Sequence, residues 1–175
     1  VLKLRKNEVA DMKEFSRATS QDIVWLFSLL HHNESVATIG LDSSNLQQLE
    51  CVAIADCLTA MTKHEQKHPL QTLSITNCKL GDQELKILAP AFAQMVGLQS
   101  LSLSGNAFTD KSGILLGKVR SLTQLDLSQC YGVTDATIAA VASNCTNLRA
   151  LNLRQCGLIT DEGVASIAKC ALLTS

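Results

Sequence analysis

Leu122-Thr-Gln-Leu125-Asp-Leu127-Ser-Gln-Cys130 returns 26 residues later as Leu148-Arg-Ala-Leu151-Asn-Leu153-Arg-Gln-Cys156. Each stretch is followed by an apolar residue and Thr-Asp, Val133-Thr134-Asp135 and Ile159-Thr160-Asp161. A short apolar segment with helical spacing closes each unit, Ile138 to Cys145 and Val164 to Cys170. A fixed period of this kind marks a supersecondary unit that cannot bury its apolar side alone and must stack on its neighbours. The alternation Leu125-x-Leu127 predicts a short strand with one buried face, and the tail predicts a helix.

Working outward, the same spacing gives Leu98-x-x-Leu101-x-Leu103-x-x-Asn106-x-Phe108, and Leu70-x-x-Leu73-x-Ile75-x-x-Cys78-x-Leu80 before it. Val36-x-x-Ile39-x-Leu41-x-x-Ser44-x-Leu46 departs from the pattern by placing Ser where Asn or Cys stands elsewhere. At the N-terminus, Leu2-Lys-Leu4-Arg-Lys-Asn7-Glu-Val9 fits with Leu2 and Leu4 inward and Asn7 at the ladder position. Helix register follows from constant offsets: Cys51, Ile54, Ala55 and Leu58 stand to Leu46 as Leu85, Leu88, Ala89 and Phe92 stand to Leu80. Ile138, Val141, Ala142 and Cys145 repeat the spacing from Val133.

Local signals refine the helices. Ser20 is expected to cap a helix running through Asp22 to His32, with Ile23, Phe27 and Leu30 on its buried face and Trp25 off it. Pro90 should kink the helix between Asp82 and Met95, because it removes a backbone donor. Gly113 and Gly117 predict a short or irregular helix in the shortest unit. Asp82, Asp110, Asp135 and Asp161 recur before the helices and are expected to act as N-caps. Leu172-Leu173 starts a seventh unit. Val1 falls inside a unit, so residues 1–175 are expected to be a single array of about six repeats within a longer one.

The L-x-x-L-x-L-x-x-[N/C]-x-L pattern resembles the leucine-rich repeat, and its Cys version followed by Val-Thr-Asp or Ile-Thr-Asp resembles the cysteine-containing repeats of F-box proteins. The units at Leu70 and Leu98 resemble the longer ribonuclease-inhibitor type. The resemblance implies an α/β leucine-rich-repeat solenoid with a curved parallel sheet on the concave side and helices on the convex side. It also implies a means of acting through surface.

Composition narrows the partners. A formal net charge of −1 argues against bulk attraction to nucleic acid or to an anionic membrane. No uncharged apolar stretch is long enough to span a bilayer. The seven cysteines form no CxxC pair and follow repeat position, which reads as buried reduced thiols of a cytosolic or nuclear protein. His64 and His68, four apart, lack an acidic or Cys partner at a matching position, so a solvated helix end is expected rather than a metal site. No P-loop, G-x-S-x-G or H-E-x-x-H is present, and neither an enzyme nor a cofactor is expected.

What remains is the outward face of the strands: Thr72, Ser74 and Thr76, then Gln99, Ser102 and Ser104, then Gln124, Asp126 and Ser128, then Arg149, Asn152 and Arg154. From these the expected partner-binding set is Gln99, Ser102, Gln124, Asp126, Arg149, Asn152 and Arg154, joined along the rim by Tyr131. Hot spots favour arginine and tyrosine, which singles out Arg149, Arg154 and Tyr131. The resulting expectation is a non-catalytic protein-interaction scaffold, cytoplasmic, within a larger cytoskeletal or ciliary complex. The F-box resemblance offers instead a ubiquitin ligase's substrate arm, and the longer repeats a Ran-type GTPase-activating protein.

Overall fold

Each Leu-x-Leu alternation becomes one strand of a single parallel sheet. The computed structural model describes residues 10–11, 19–30, 36–62, 70–168, 170 and 172–174. The strands are β1 (Ala10–Asp11), β2 (Thr38–Asp42), β3 (Thr72–Thr76), β4 (Ser100–Ser102), β5 (Gln124–Asp126) and β6 (Ala150–Asn152), paired in chain order. Helices α1 (Ser20–Leu30), α2 (Gln48–Thr62), α3 (Asp82–Gln94), α4 (Asp110–Gly113), α5 (Asp135–Asn144) and α6 (Asp161–Ile167) return the chain between them. The register runs Ile39↔Leu73↔Leu101↔Leu125↔Leu151, so the predicted leucines lie side by side. Between sheet and helices the leucines meet Ile54, Leu58, Leu88, Phe92, Ile138 and Val141 in one continuous core. Fully burying each such side chain contributes about 1.5–3 kcal/mol.

At the N-terminal end, the strand that pairs with β2 is Ala10–Asp11, opposite Ile39 and Gly40. Leu2, Leu4, Asn7 and Val9 lie outside the described residues, as do His32, His64 and His68. Among the described residues no group of three His, Cys, Asp or Glu could hold a metal ion, and no helix is long and apolar enough to cross a membrane.

Helix α1 buries Ile23, Leu26, Phe27 and Leu30, and Trp25 projects away, 54% exposed. Its cap is Thr19 rather than Ser20: the Asp22 carboxylate accepts the Thr19 N–H at 2.9 Å, and the Asp22 N–H donates back to Thr19 Oγ1. The Ser20 hydroxyl instead donates to the Glu50 carboxylate of α2. Helix α3 continues unbroken past the exposed Pro90 to Gln94. Helix α4 is one turn and tightens into a 3-10 segment, Ile114–Lys118. Its glycines admit the next helix: a Cβ on Gly117 would lie 2.5 Å from the Ala140 carbonyl oxygen, and one on Gly113 2.4 Å from Thr137 Oγ1.

The recurrent aspartates are not N-caps. They occupy the first helical position, and Thr109, Thr134 and Thr160 cap α4, α5 and α6. Asp82, Asp110 and Asp135 each reach forward to the following unit. Asp82 accepts the Thr109 N–H and hydroxyl and the Ser112 hydroxyl. Asp110 accepts the N–H and hydroxyl of both Thr134 and Thr137. Asp135 accepts the N–H and hydroxyl of Thr160. Partial burial pushes the Asp82 and Asp110 carboxyls up, but these hydrogen bonds outweigh it and hold both below the ordinary aspartate value. At Asp135 the Thr160 hydroxyl is the largest influence and the net direction is the same.

Among the described residues, the Asn and Cys side chains at the ladder position bond backbone of the preceding coil. Asn106 Nδ2 donates to the Ile75 and Leu103 carbonyls, and its Oδ1 accepts the Cys78 and Leu80 amides. A cysteine there makes a smaller set of bonds: Cys130 Sγ donates to Leu103 O at 3.2 Å and Cys156 Sγ to Leu127 O at 3.0 Å. Burial pushes the Cys130 thiol up to about 12 and the Cys78 thiol to about 11, so both stay protonated and inert. One residue before each ladder position the backbone turns left-handed, with φ of 53° at Ser43, 54° at Asn77, 69° at Gly105, 60° at Gln129 and 63° at Gln155. Glycine stands only at Gly105, where a Cβ would sit 2.1 Å from Asn77 Oδ1 and would have to displace the Asn77 side chain. At the far end, the Thr174 N–H bonds the Arg149 carbonyl, just as the Thr123 N–H bonds that of Gln99, which is the start of a seventh unit.

Candidate functional site: the outer face of the strands

Pairing fixes which side chains share the outer face. In register they are Thr72, Ser100, Gln124 and Ala150 in one row, and Ser74, Ser102, Asp126 and Asn152 in the next. All are small or of medium length. A shallow depression of about 500 Å³ lies over β4, β5 and β6, lined by Ser100, Ser102, Gln124, Asp126, Ala150 and Asn152.

Hydrogen bonds order this surface. Asp126 Oδ1 accepts the Ser128 N–H at 2.9 Å, and Asn152 Oδ1 accepts the Arg154 N–H at 3.1 Å. Ser102 Oγ donates weakly to Asp126 Oδ2 at 3.4 Å, and the Ser104 and Ser128 hydroxyls meet at 2.8 Å. Toward β2, Asp42 Oδ1 accepts the Thr76 hydroxyl and the Asn77 amide. Side chains bonded to the backbone two residues on are held in place by the turn that ends each strand, so the face is preordered.

The expected partner-binding residues separate into three groups. Ser102, Gln124, Asp126 and Asn152 line the depression together. Gln99 and Arg149 do not belong to the strand face: each precedes its strand by one residue, and Ser100 and Ala150 hold the outward positions instead. Strand parity is the reason, since Gln99 and Arg149 share phase with the buried Leu101 and with Leu151 and stay exposed only because they lie at the strand entrance. Their carbonyls join the stack there, that of Gln99 accepting the Thr123 and Gln124 amides. Arg154 is exposed past the end of β6, and Tyr131 is 64% exposed in the turn after Cys130. Neither lines the depression. Ser100 and Ala150 were missed by sequence reading, although counting by twos from Leu101 and Leu151 would have found them.

Comparison with known proteins agrees with this architecture. Residues 98–117 and 144–168 match a family described as Leucine Rich repeat. No curated protein matches the chain. Among solved structures, the tropomodulin C-terminal domain of Caenorhabditis elegans is similar, with a TM-score of 0.60 at 11% identity over 84% of this chain and 90% of that one. The fold is an α/β leucine-rich-repeat solenoid.

Proposed function

We propose that the chain is a non-catalytic scaffold that binds a protein partner on the outer face of its strands, as a subunit of a larger cytoplasmic assembly of cytoskeletal or ciliary kind. The observation that carries this reading is the depression over β4, β5 and β6, where Ser102, Asp126 and Asn152 stand in register with their polar groups held toward solvent-accessible space. The likeness to the tropomodulin domain bears on the fold alone. A preordered polar surface loses little side-chain entropy on binding, which favours recognition of another folded or extended chain.

The test is affinity purification of the chain carrying a photo-crosslinking residue at Asn152 or, as a control, at the exposed Ser143 of α5. The expected result is one set of partners crosslinked from position 152 and not from 143, with weakened capture when Arg154 is replaced by Glu. Crosslinking from 143 alone would move the interface to the helices. Recovery of ubiquitin-ligase subunits or of a small GTPase would replace the cytoskeletal setting with the substrate-arm or Ran-type role.

A further inference from the structure

We infer that the depression over β4, β5 and β6 receives a lysine or arginine side chain of the partner protein, with Asp126 as its counter-charge. This rests on the reading of the strand face as the partner surface and adds the chemistry of what enters it.

Asp126 is the one ionisable side chain among the residues lining the depression. Its Oδ1 is engaged by the Ser128 N–H, whereas Oδ2 has only the long Ser102 hydroxyl contact at 3.4 Å, and no cationic side chain among the described residues pairs with it. Two half-buried aspartates on the helical side are more heavily bonded: Asp110 accepts four bonds and Asp82 three. The turn-bound Oδ1 fixes the carboxylate, and Oδ2, holding only the long Ser102 contact, keeps acceptor capacity for a ligand.

The surroundings favour a long cationic side chain over other occupants. Ser100, Ser102 and Ala150 are too short to fill the volume beside Asp126, which leaves width for a slender aliphatic stem. Gln124 on the same strand and Asn152 on the next flank the carboxylate with amide groups that can hold the partner's backbone. Arg149 and Arg154 border β6 at its two ends, yet neither is among the residues lining the depression. An acidic partner segment would place like charges together over Asp126. A charge-assisted bond between guanidinium or ammonium and a fixed carboxylate is about twice as strong as a neutral one, and gives selectivity at one position.

The experiment uses the whole chain and a random dodecapeptide phage library. Selected peptides are expected to share one Lys or Arg position, and the best synthetic peptide should bind Asp126→Asn roughly tenfold more weakly by fluorescence anisotropy. The Asn variant retains the Oδ1 acceptor for Ser128, and its melting temperature reports that the fold is kept. Charge reversal supplies a readout that misfolding cannot imitate: a peptide with Glu at that position should bind Asp126→Lys better than wild type. Peptides that are blocked by Asn152→Trp yet carry no shared basic position, or bind Asp126→Asn unchanged, overturn the cation while leaving the strand face as the partner surface. Binders indifferent to both substitutions, or no binders, overturn the inference. Indifference to Asn152→Trp also removes the face itself from the reading.

Discussion

The first three helices and the last three begin in different ways. In α1, α2 and α3 the amide at the cap is closed by a carboxylate three residues on in the same helix: Asp22 to Thr19, Glu50 to Gln47, Glu84 to Gly81. In α4, α5 and α6 the equivalent amide is closed by the aspartate of the preceding unit: Asp82 to Thr109, Asp110 to Thr134, Asp135 to Thr160. Both arrangements satisfy an orphan donor at a helix start. Only the second makes the start of one helix depend on its neighbour. The N-terminal units are thus joined by core burial, strand pairing and separate side-chain bonds such as Ser20–Glu50 and Asp42–Thr76, and the C-terminal units add a polar relay beside the core. The depression sits over the relayed units.

The contrast can be broken hardest at Gly117. Gly117→Ala would drive a methyl group into the Ala140 carbonyl, which is backbone and cannot swing aside. Overpacking of this kind costs about 2–3 kcal/mol, to be read from urea unfolding. Next is Asp110→Ala, which strands the Thr134 and Thr137 amides and hydroxyls. Because Asp110 is half-buried, a loss of about 2 kcal/mol is expected, with faster hydrogen exchange in α5 and not in α2. A similar response in both helices would show that the relay adds nothing local.

The relay also predicts a pH response. Asp82, Asp110 and Asp135 have carboxyls lowered in the folded chain, so their contribution is full above the unfolded aspartate value, near 4. It is lost as pH falls through their folded values. Asp22 and Glu50 are lowered as well, through Thr19 for the first and, against the opposing effect of burial, through Ser20 and Gln47 for the second. Acid therefore weakens both halves, but in the relayed half the loss should appear as separation of adjacent units. Exchange of the Thr109, Thr134 and Thr160 amides should accelerate together below pH 4.

Much of this architecture is written in the leucine spacing. The register of Leu101, Leu125 and Leu151 follows from apolar period alone, since any slip would expose the core. The relay is less visible because Asp and Thr are both good caps, and one residue separates the cap from the first helical position. A single unit also gives no sign that a carboxylate is shared with the next. Yet Thr-Asp recurs at 109–110, 134–135 and 160–161, and that pairing was the available signal. On the strand face, Gln99 and Arg149 drew attention by polarity while Ala150 did not, although parity and not polarity decides which side chains face out. The left-handed turns at Gln129 and Gln155 had no sequence mark, because neither is glycine.

The relay is tested most directly by a double-mutant cycle of Asp110→Ala with Thr134→Val, measured beside a control cycle of Glu84→Gln with Thr109→Val. A coupling of about 1–2 kcal/mol is expected across the first pair, whose members bond between units, and near-additive losses across the second, whose members share no bond. Losses at Asp110 and Thr134 that add to within about 0.3 kcal/mol would contradict the account, for the aspartate bond would then contribute no coupling between the two units.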